Sequence, residues 1–438
     1  MRFEFADCTV DLDGLQLRRG GVRVHLEPQV FDVLVYLLIH RDRVVPKAEL
    51  LHEVWGDQFV SESALTSRIM AARRAVHDDG RGQRIIRTSF GRGYQFVAEV
   101  RESASDSTPV VIPAPVTATA TGTGTGTVEQ DIRFCRAPDG TRIAYAIAGR
   151  GPFLVKAANW MTHVDYDAEN KVWRHWVGDL SRTFTLVRYD ERGCGMSDWN
   201  VDRIDFEAWV DDLLVVVDEL GLQRFPLLGV SQGAAVAVAF AARYPERVSA
   251  LVLYGSYARG RMSRADSPEA RQEAALDVEL ARVGWARDDP SFRQVFTSQF
   301  LPDGSREEWA AFDELQRRTI SPANAVAFLE TFAGIDVTDA ATRVSCPTLI
   351  LHARDDHRVP LSAARELAAL IPGCRFVPLA GRNHLLTAAE PAWPLFLDEL
   401  SRFLAPLTAR INFPGAGEIV HSRHTVTITV PLRTRGRC

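Results

Sequence analysis

The chain has 438 residues, of which 46% are hydrophobic and 24% charged, and carries a formal net charge of −5 at pH 7. That length exceeds what one hydrophobic core organises, so two domains are expected, and the charge excludes a chain that is basic throughout. No apolar run reaches the roughly 18 residues that a membrane helix requires, and Met1 to Val10 lacks a basic start followed by an apolar core, so a cytoplasmic protein without a membrane partner is expected.

From the N-terminus, Phe3 to Phe5, Thr9 to Leu17 and Val22 to Leu26 alternate as short strands. Glu27 to Ile39 then places Val30, Phe31, Leu34, Leu37 and Leu38 at helical spacing, and Lys47 to Val54 reads as a second helix. A third helix, capped by Ser61 or Ser63, runs to about Val76. At roughly 100 degrees per residue, its Leu65, Ile69, Ala72 and Val76 form one narrow stripe. Ser63, Ser67, Met70 and Arg74 project from the opposite face, flanked by Thr66 and Arg73. Gln83 to Phe90 and Tyr94 to Val97 form two strands around a basic tip, Gly91-Arg92-Gly93.

Charge is distributed unevenly over this segment. Residues 1 to 67 hold seven basic against eleven acidic side chains, whereas residues 68 to 97 hold seven arginines against two aspartates. Positive charge concentrated on the third helix and the hairpin is what phosphate contacts require. Residues 3 to 100 resemble the winged helix-turn-helix domain of the OmpR/PhoB type, also found in CadC-like regulators. The likeness rests on Val30 to Leu38, Arg43-Val44-Val45, Val54-Trp55-Gly56, Ser61 to Val76, Ile86-Arg87-Thr88 and Gly91 to Phe96. It implies double-stranded DNA as a partner, with the third helix in the major groove and the hairpin on the backbone or minor groove. Arg73, Arg74 and Arg92 are the first contact candidates, followed by Ser63, Thr66 and Ser67. No receiver domain precedes this segment, so control by phosphorylation is not expected.

Between Arg101 and Val128 the composition turns to Ser, Thr, Pro, Ala and Gly, ending in Thr121 to Thr127 with alternating glycines. Such a segment cannot offset its ordering entropy and reads as a flexible linker over 101–130, separating a domain at 1–100 from one at 131–406.

In the second domain, Ile143 to Ile147, Phe153 to Ala157, Phe184 to Tyr189, Phe225 to Leu228, Ala250 to Tyr254, Thr348 to His352 and Arg375 to Pro378 read as strands. Several are continuous apolar runs, the mark of parallel strands covered on both faces. With helices such as Phe206 to Leu220 and Gln232 to Arg243 between them, they predict a doubly wound α/β sheet. A helical insertion at about 258–344, rich in Trp and Phe, reads as a cap over the site. The tail at 407–438 holds one alternating run, Thr425 to Val430, and reads as a disordered extension.

Ser231 stands in Gly229-Val230-Ser231-Gln232-Gly233, between an apolar strand and a small-residue helix. This is a nucleophile elbow, in which glycines relieve a crowded turn and expose the serine oxygen. Asp356 and His384 follow in the order Ser, Asp, His of an α/β-hydrolase. A serine hydroxyl becomes nucleophilic near neutral pH when a histidine takes its proton and a carboxylate holds the ring. Asp355 beside Asp356 leaves the acid ambiguous; the spacing Asp-x-x-Val-Pro places Asp356 at the position used in the α/β-hydrolases that this segment resembles, which implies Asp356.

Residues 131 to 404 resemble an α/β-hydrolase from end to end. The resemblance implies an oxyanion hole built from the amide of Gln232 and a second amide in the loop after Phe153 to Ala157. That family commonly carries His-Gly there; this chain reads Ala157-Ala158-Asn159-Trp160, and Trp160 is the candidate donor. Tyr189 to Ser197 resembles the turn after the fourth strand and reads as structural. Six scattered cysteines (Cys8, Cys135, Cys194, Cys346, Cys374 and Cys438) form no CxxC pair and suggest neither a disulfide framework nor a metal site. No cofactor is implied.

The expected protein is a DNA-binding transcriptional regulator whose serine hydrolase domain cleaves or senses a small, mostly apolar ester or lactone. A hydrolase of esterase or lipase type with an accessory DNA-binding domain, and a ligand sensor that no longer turns over, are the alternatives. A homodimer is compatible with either.

Overall fold

The computed structural model describes residues 2–12, 16–24, 26, 28–55, 62–78, 82–89, 91–103, 128–287 and 289–408. Ser61, the segment 104–127 and the tail from 409, with its run Thr425 to Val430, lie outside them.

The first domain opens on an antiparallel sheet in which Val22–Val24, Gln16–Arg19, Cys8–Asp11, Arg2–Phe5 and Arg101–Ser103 lie side by side. Alternation in these strands turns Phe3, Phe5, Val10 and Leu17 inward. Helices Pro28–Ile39, Lys47–Trp55 and Glu62–Ala75 follow, then the hairpin Ile86–Ser89 with Gly93–Phe96. Leu34, Leu37 and Leu38 meet Leu65, Ile69 and Ala72 in one core, as the helical periodicity predicts. Gly93, at φ +146°, has the Val45 carbonyl where a Cβ would stand, 1.9 Å away, so the wing can pack here only with glycine. One boundary differs from the sequence reading: Arg101–Ser103, assigned to the linker, pairs with Arg2 to Glu4 and closes the first sheet.

The second domain is built on an eight-stranded sheet. Six strands are mutually parallel, in the order Arg375–Leu379, Thr348–Ala353, Val248–Tyr254, Phe225–Val230, Phe153–Lys156 and Thr185–Tyr189. Arg142–Ala148 and Gln130–Arg136 complete it as antiparallel strands. Every residue of Phe225–Val230, Val248–Tyr254 and Thr348–Ala353 is buried, as expected of strands covered on both faces. In the insertion expected over 258–344 the described residues form helices Pro268–Gly284, Ser291–Phe300, Arg306–Thr319, Pro322–Gly334 and the short Thr338–Thr342. Local chemistry sets their starts. Ser267 and Ser321 each cap a helix whose first residue is proline, and Ser305 with Glu308 forms a capping box.

The helix Arg174–Thr183 was not legible as an element in the sequence. It buries Trp176 against Trp393 and Phe396 of the helix Ala392–Thr408, while the Trp176 and His175 rings both reach the Leu386 carbonyl. Among the described residues no helix is long and apolar enough to cross a membrane.

Candidate active site and nucleic-acid face

Ser231 sits between the end of Phe225–Val230 and the start of Gln232–Arg243, with φ 53° and ψ −125°. The elbow is tight enough that a Cβ on Gly229 would lie 2.5 Å from Ala234 Cα, and one on Gly233 2.3 Å from the Ala158 carbonyl. Both glycines are therefore required by contact. The Ser231 amide donates to the Tyr254 carbonyl of the neighbouring strand, which fixes the turn to the sheet.

The three residues separated in sequence converge. His384 Nε2 lies 2.7 Å from Ser231 Oγ, and His384 Nδ1 lies 2.7 Å from Asp356 Oδ2. The second Asp356 oxygen accepts from the amides of Arg358 and Val359 at 2.8 and 2.9 Å. Burial alone would raise the Asp356 carboxyl, but the charge and hydrogen bond of His384, with help from His352 and the Val359 amide, hold it below the usual range. Asp355, by contrast, is exposed. The cap also touches the relay: the His384 amide donates to the Phe300 carbonyl, and the Phe300 ring meets the imidazole edge-on at 5.2 Å.

His352 was missed by the sequence reading. Its Nε2 contacts the Val359 carbonyl at 2.9 Å and lies 3.7 Å from Asp356 Oδ2, and burial lowers its pKa. A second buried imidazole thus backs the acid. It stands near the end of the strand Thr348–Ala353, four positions before Asp356, and only the fold shows that its ring turns back toward that carboxylate.

The two expected oxyanion donors are differently placed. Gln232 occupies the first helical position, where an amide has no intrahelical acceptor. The Trp160 amide instead donates to the side-chain oxygen of Gln232 at 3.0 Å, so its hydrogen is already engaged. The Gln232 side-chain nitrogen donates in turn to Glu191, which is buried and whose carboxyl burial pushes up to about 8. The chain of contacts Trp160, Gln232, Glu191 joins the loop after Phe153–Lys156 to the loop after Thr185–Tyr189.

That second loop is structural, as expected, though its charges reach further than local pairing. Asp190 accepts from the amides of Val164 and Met196, and Arg192 holds buried Asp212 through two hydrogen bonds and Asp139 through a third. Cys194 is fully buried and its thiol is raised well above the ordinary range, which suits packing.

A pocket opens over Ser231 and Gln232. Trp160, Phe300, Leu329 and Phe332 supply apolar walls. Most of the cap aromatics, Phe296, Phe312 and Phe328 among them, pack within the core instead. The sequence reading did not foresee the other wall, which carries Arg261, Arg264, Asp277 and Arg358.

In the first domain, Leu65, Ile69, Ala72 and Val76 are buried, and Thr66, Ser67, Met70 and Arg74 are exposed on the opposite face. Arg92 is exposed at the hairpin tip. Ser63 lies in the helix Glu62–Ala75, and its side chain is outside the described residues. Arg73 departs from the expectation of a DNA contact. Its guanidinium is buried, donating to the Ile86 carbonyl through Nε and Nη2 and to the Thr88 hydroxyl through Nη2. Arg73 therefore ties the third helix to the wing, because its position on the flank of the helix faces the strand Ile86–Ser89.

Comparison with known proteins gives each half a counterpart. Residues 168–389 match the family described as alpha/beta hydrolase fold, and residues 21–96 match that described as transcriptional regulatory protein, C terminal. The pyrrolizixenacetamide deacetylase of Xenorhabdus hominickii is 26% identical over 254 residues, covering 57% of this chain and 90% of that protein. Transcriptional regulator HilA of Salmonella typhi is 40% identical over 95 residues, covering 22% of this chain and 17% of HilA. Among solved structures, the esterase RhEst1 from Rhodococcus sp. ECU1013 superposes with a TM-score of 0.52 at 25% identity, covering 63% of this chain and 99% of that one.

Proposed function

The chain belongs to the alpha/beta hydrolase fold family and carries an OmpR/PhoB-type DNA-binding domain ahead of it, and from that premise we propose a cytoplasmic transcriptional regulator whose hydrolase domain cleaves a small ester or lactone by serine catalysis. The observation that carries the chemistry is the relay itself, two contacts of 2.7 Å joining Ser231 to His384 and His384 to Asp356.

In this reading His384 takes the Ser231 proton as Oγ attacks the substrate carbonyl. The charge that develops on the carbonyl oxygen is met by the amides of Gln232 and Trp160, the latter exchanging the Gln232 side-chain oxygen for the substrate's. His384 then protonates the leaving oxygen, and a water activated by the same imidazole releases the acid from Ser231. Asp356, ionised and held by two amides, keeps the ring oriented and balances its charge.

On the DNA side, Arg74 and Arg92 contact phosphates, with Thr66 and Ser67 on the same exposed face of the third helix. Occupancy or turnover of the pocket biases DNA binding. Ser231→Ala tests the hydrolytic part through p-nitrophenyl ester hydrolysis: activity in the parent and loss in the variant support an enzyme. A parent without activity supports a ligand sensor. Operator affinity measured with and without a tight pocket ligand tests the coupling, and identical affinities would leave an enzyme with an accessory DNA-binding domain.

A further inference from the structure

The pocket wall facing Ser231 carries three guanidiniums, Arg261, Arg264 and Arg358, against one carboxylate, Asp277. Asp277 is already shared: its Oδ2 accepts from both Arg261 and Arg358 at 2.6 Å. Arg358 also donates to Gln299 and lies over the Phe300 ring. Arg264 has no carboxylate partner among the described residues; it donates to the Arg259 carbonyl at 3.1 Å and lies over the Tyr257 ring at 6.0 Å. The nearby Glu366 is taken by Arg259. Two positive charges on this wall are thus left without a matching carboxylate.

Such an arrangement is costly unless an anion balances it, because guanidiniums of like charge are drawn together partly away from bulk water. Burial chiefly, with smaller help from the neighbouring Arg261 and Arg358, lowers the Arg264 pKa against the opposing pull of Tyr257 and Glu366. An anion seated among them would relieve both effects, and the planar fork of arginine suits a carboxylate. Resting on the reading of Ser231 as a nucleophile, we propose that Arg264 and Arg261 bind a free carboxylate of the substrate, so that the compound is an ester or lactone that also bears an acid group. The apolar wall of Trp160 and Phe332 takes the carbon skeleton between the two ends. Electroneutral esters and fatty acyl esters are accordingly poor substrates.

The test uses the full chain and two p-nitrophenyl esters, the butyrate and the hemiglutarate, whose acyl group is the four-carbon butyryl chain extended by a terminal carboxylate. The parent is expected to favour the hemiglutarate at least tenfold in kcat/KM. Arg264→Gln should collapse that ratio about tenfold and Arg264→Lys restore part of it. Arg282→Gln, which alters an exposed arginine paired with Glu279 and Glu330 on the outer cap, should leave the ratio unchanged. A ratio insensitive to Arg264, or a preference for the butyrate, overturns the proposal. Stronger inhibition by inorganic phosphate than by glutarate also overturns it, by assigning the wall to phosphorylated ligands. If neither ester is cleaved, hydrolysis fails while the carboxylate site is still decided by calorimetry: monomethyl glutarate binding that is lost in Arg264→Gln supports it, and no binding refutes it.

Discussion

The Trp160 amide donates to the side-chain oxygen of Gln232 at 3.0 Å, placing an internal acceptor where the substrate carbonyl oxygen is expected to bind. In the proposed mechanism, substrate displaces that oxygen before the Trp160 amide can donate to the substrate. Gln232→Met keeps the length and removes the acceptor. A net hydrogen bond is worth about 0.5–1.5 kcal/mol, so kcat/KM for a neutral ester should rise roughly 3- to 10-fold. A fall of that size would instead make the Gln232 side chain a positioning group for the loop.

Asp356 and Asp355 are adjacent in sequence but face opposite surroundings, one against His384 and the other against solvent. Asp356→Asn should lower kcat on the order of 10⁴-fold, because the imidazole loses the partner that fixes its tautomer. Asp355→Asn should change kcat less than twofold. Steady-state kinetics on the same ester distinguishes them.

Glu191 provides a pH signature in stability. Its carboxyl stands at about 8 in the fold against an ordinary 4.5, so between those values the folded chain holds a proton that the unfolded chain has lost. Its contribution is complete below about 4.5 and is lost as pH rises to about 8. Glu191→Gln mimics the neutral form and should flatten the decline of second-domain stability over that window, measured by urea unfolding at pH 5, 6.5 and 8. A decline as steep as the parent's would show that Glu191 is ionised in the fold.

Neighbouring arginines on the third helix should separate fold from binding. Arg73→Ala removes three hydrogen bonds to the wing, two of them buried, and should destabilise the first domain by about 1–3 kcal/mol in thermal unfolding. Arg74→Ala and Arg92→Ala should leave unfolding unchanged and each reduce the slope of log K against log salt by about one. Unchanged slopes in both would remove these side chains from the phosphate contacts.

What the sequence made legible was local in character. The nucleophile elbow compresses strand, turn and helix into five residues, and the apolar stripe Leu65, Ile69, Ala72, Val76 follows from helical geometry alone. The acid and base were readable because their order along the chain is fixed by strand order in the sheet. Relations set by loop packing were hidden. Trp160 meets Gln232 across 72 positions and Gln232 meets Glu191 across 41, with no periodicity linking them. Arg358 lies 81 positions from Asp277, and the cap brings them together. Arg73 was misread because a residue on the flank of a helix can face solvent or a neighbouring strand, and only the position of the wing decides.

The most direct test of the account is covalent labelling of the intact protein with a fluorophosphonate, followed by mapping of the modified peptide. Label on Ser231, and its loss in His384→Ala, is the predicted result. Folded parent protein that takes up no label at Ser231 would contradict the claim that this hydroxyl is an activated nucleophile.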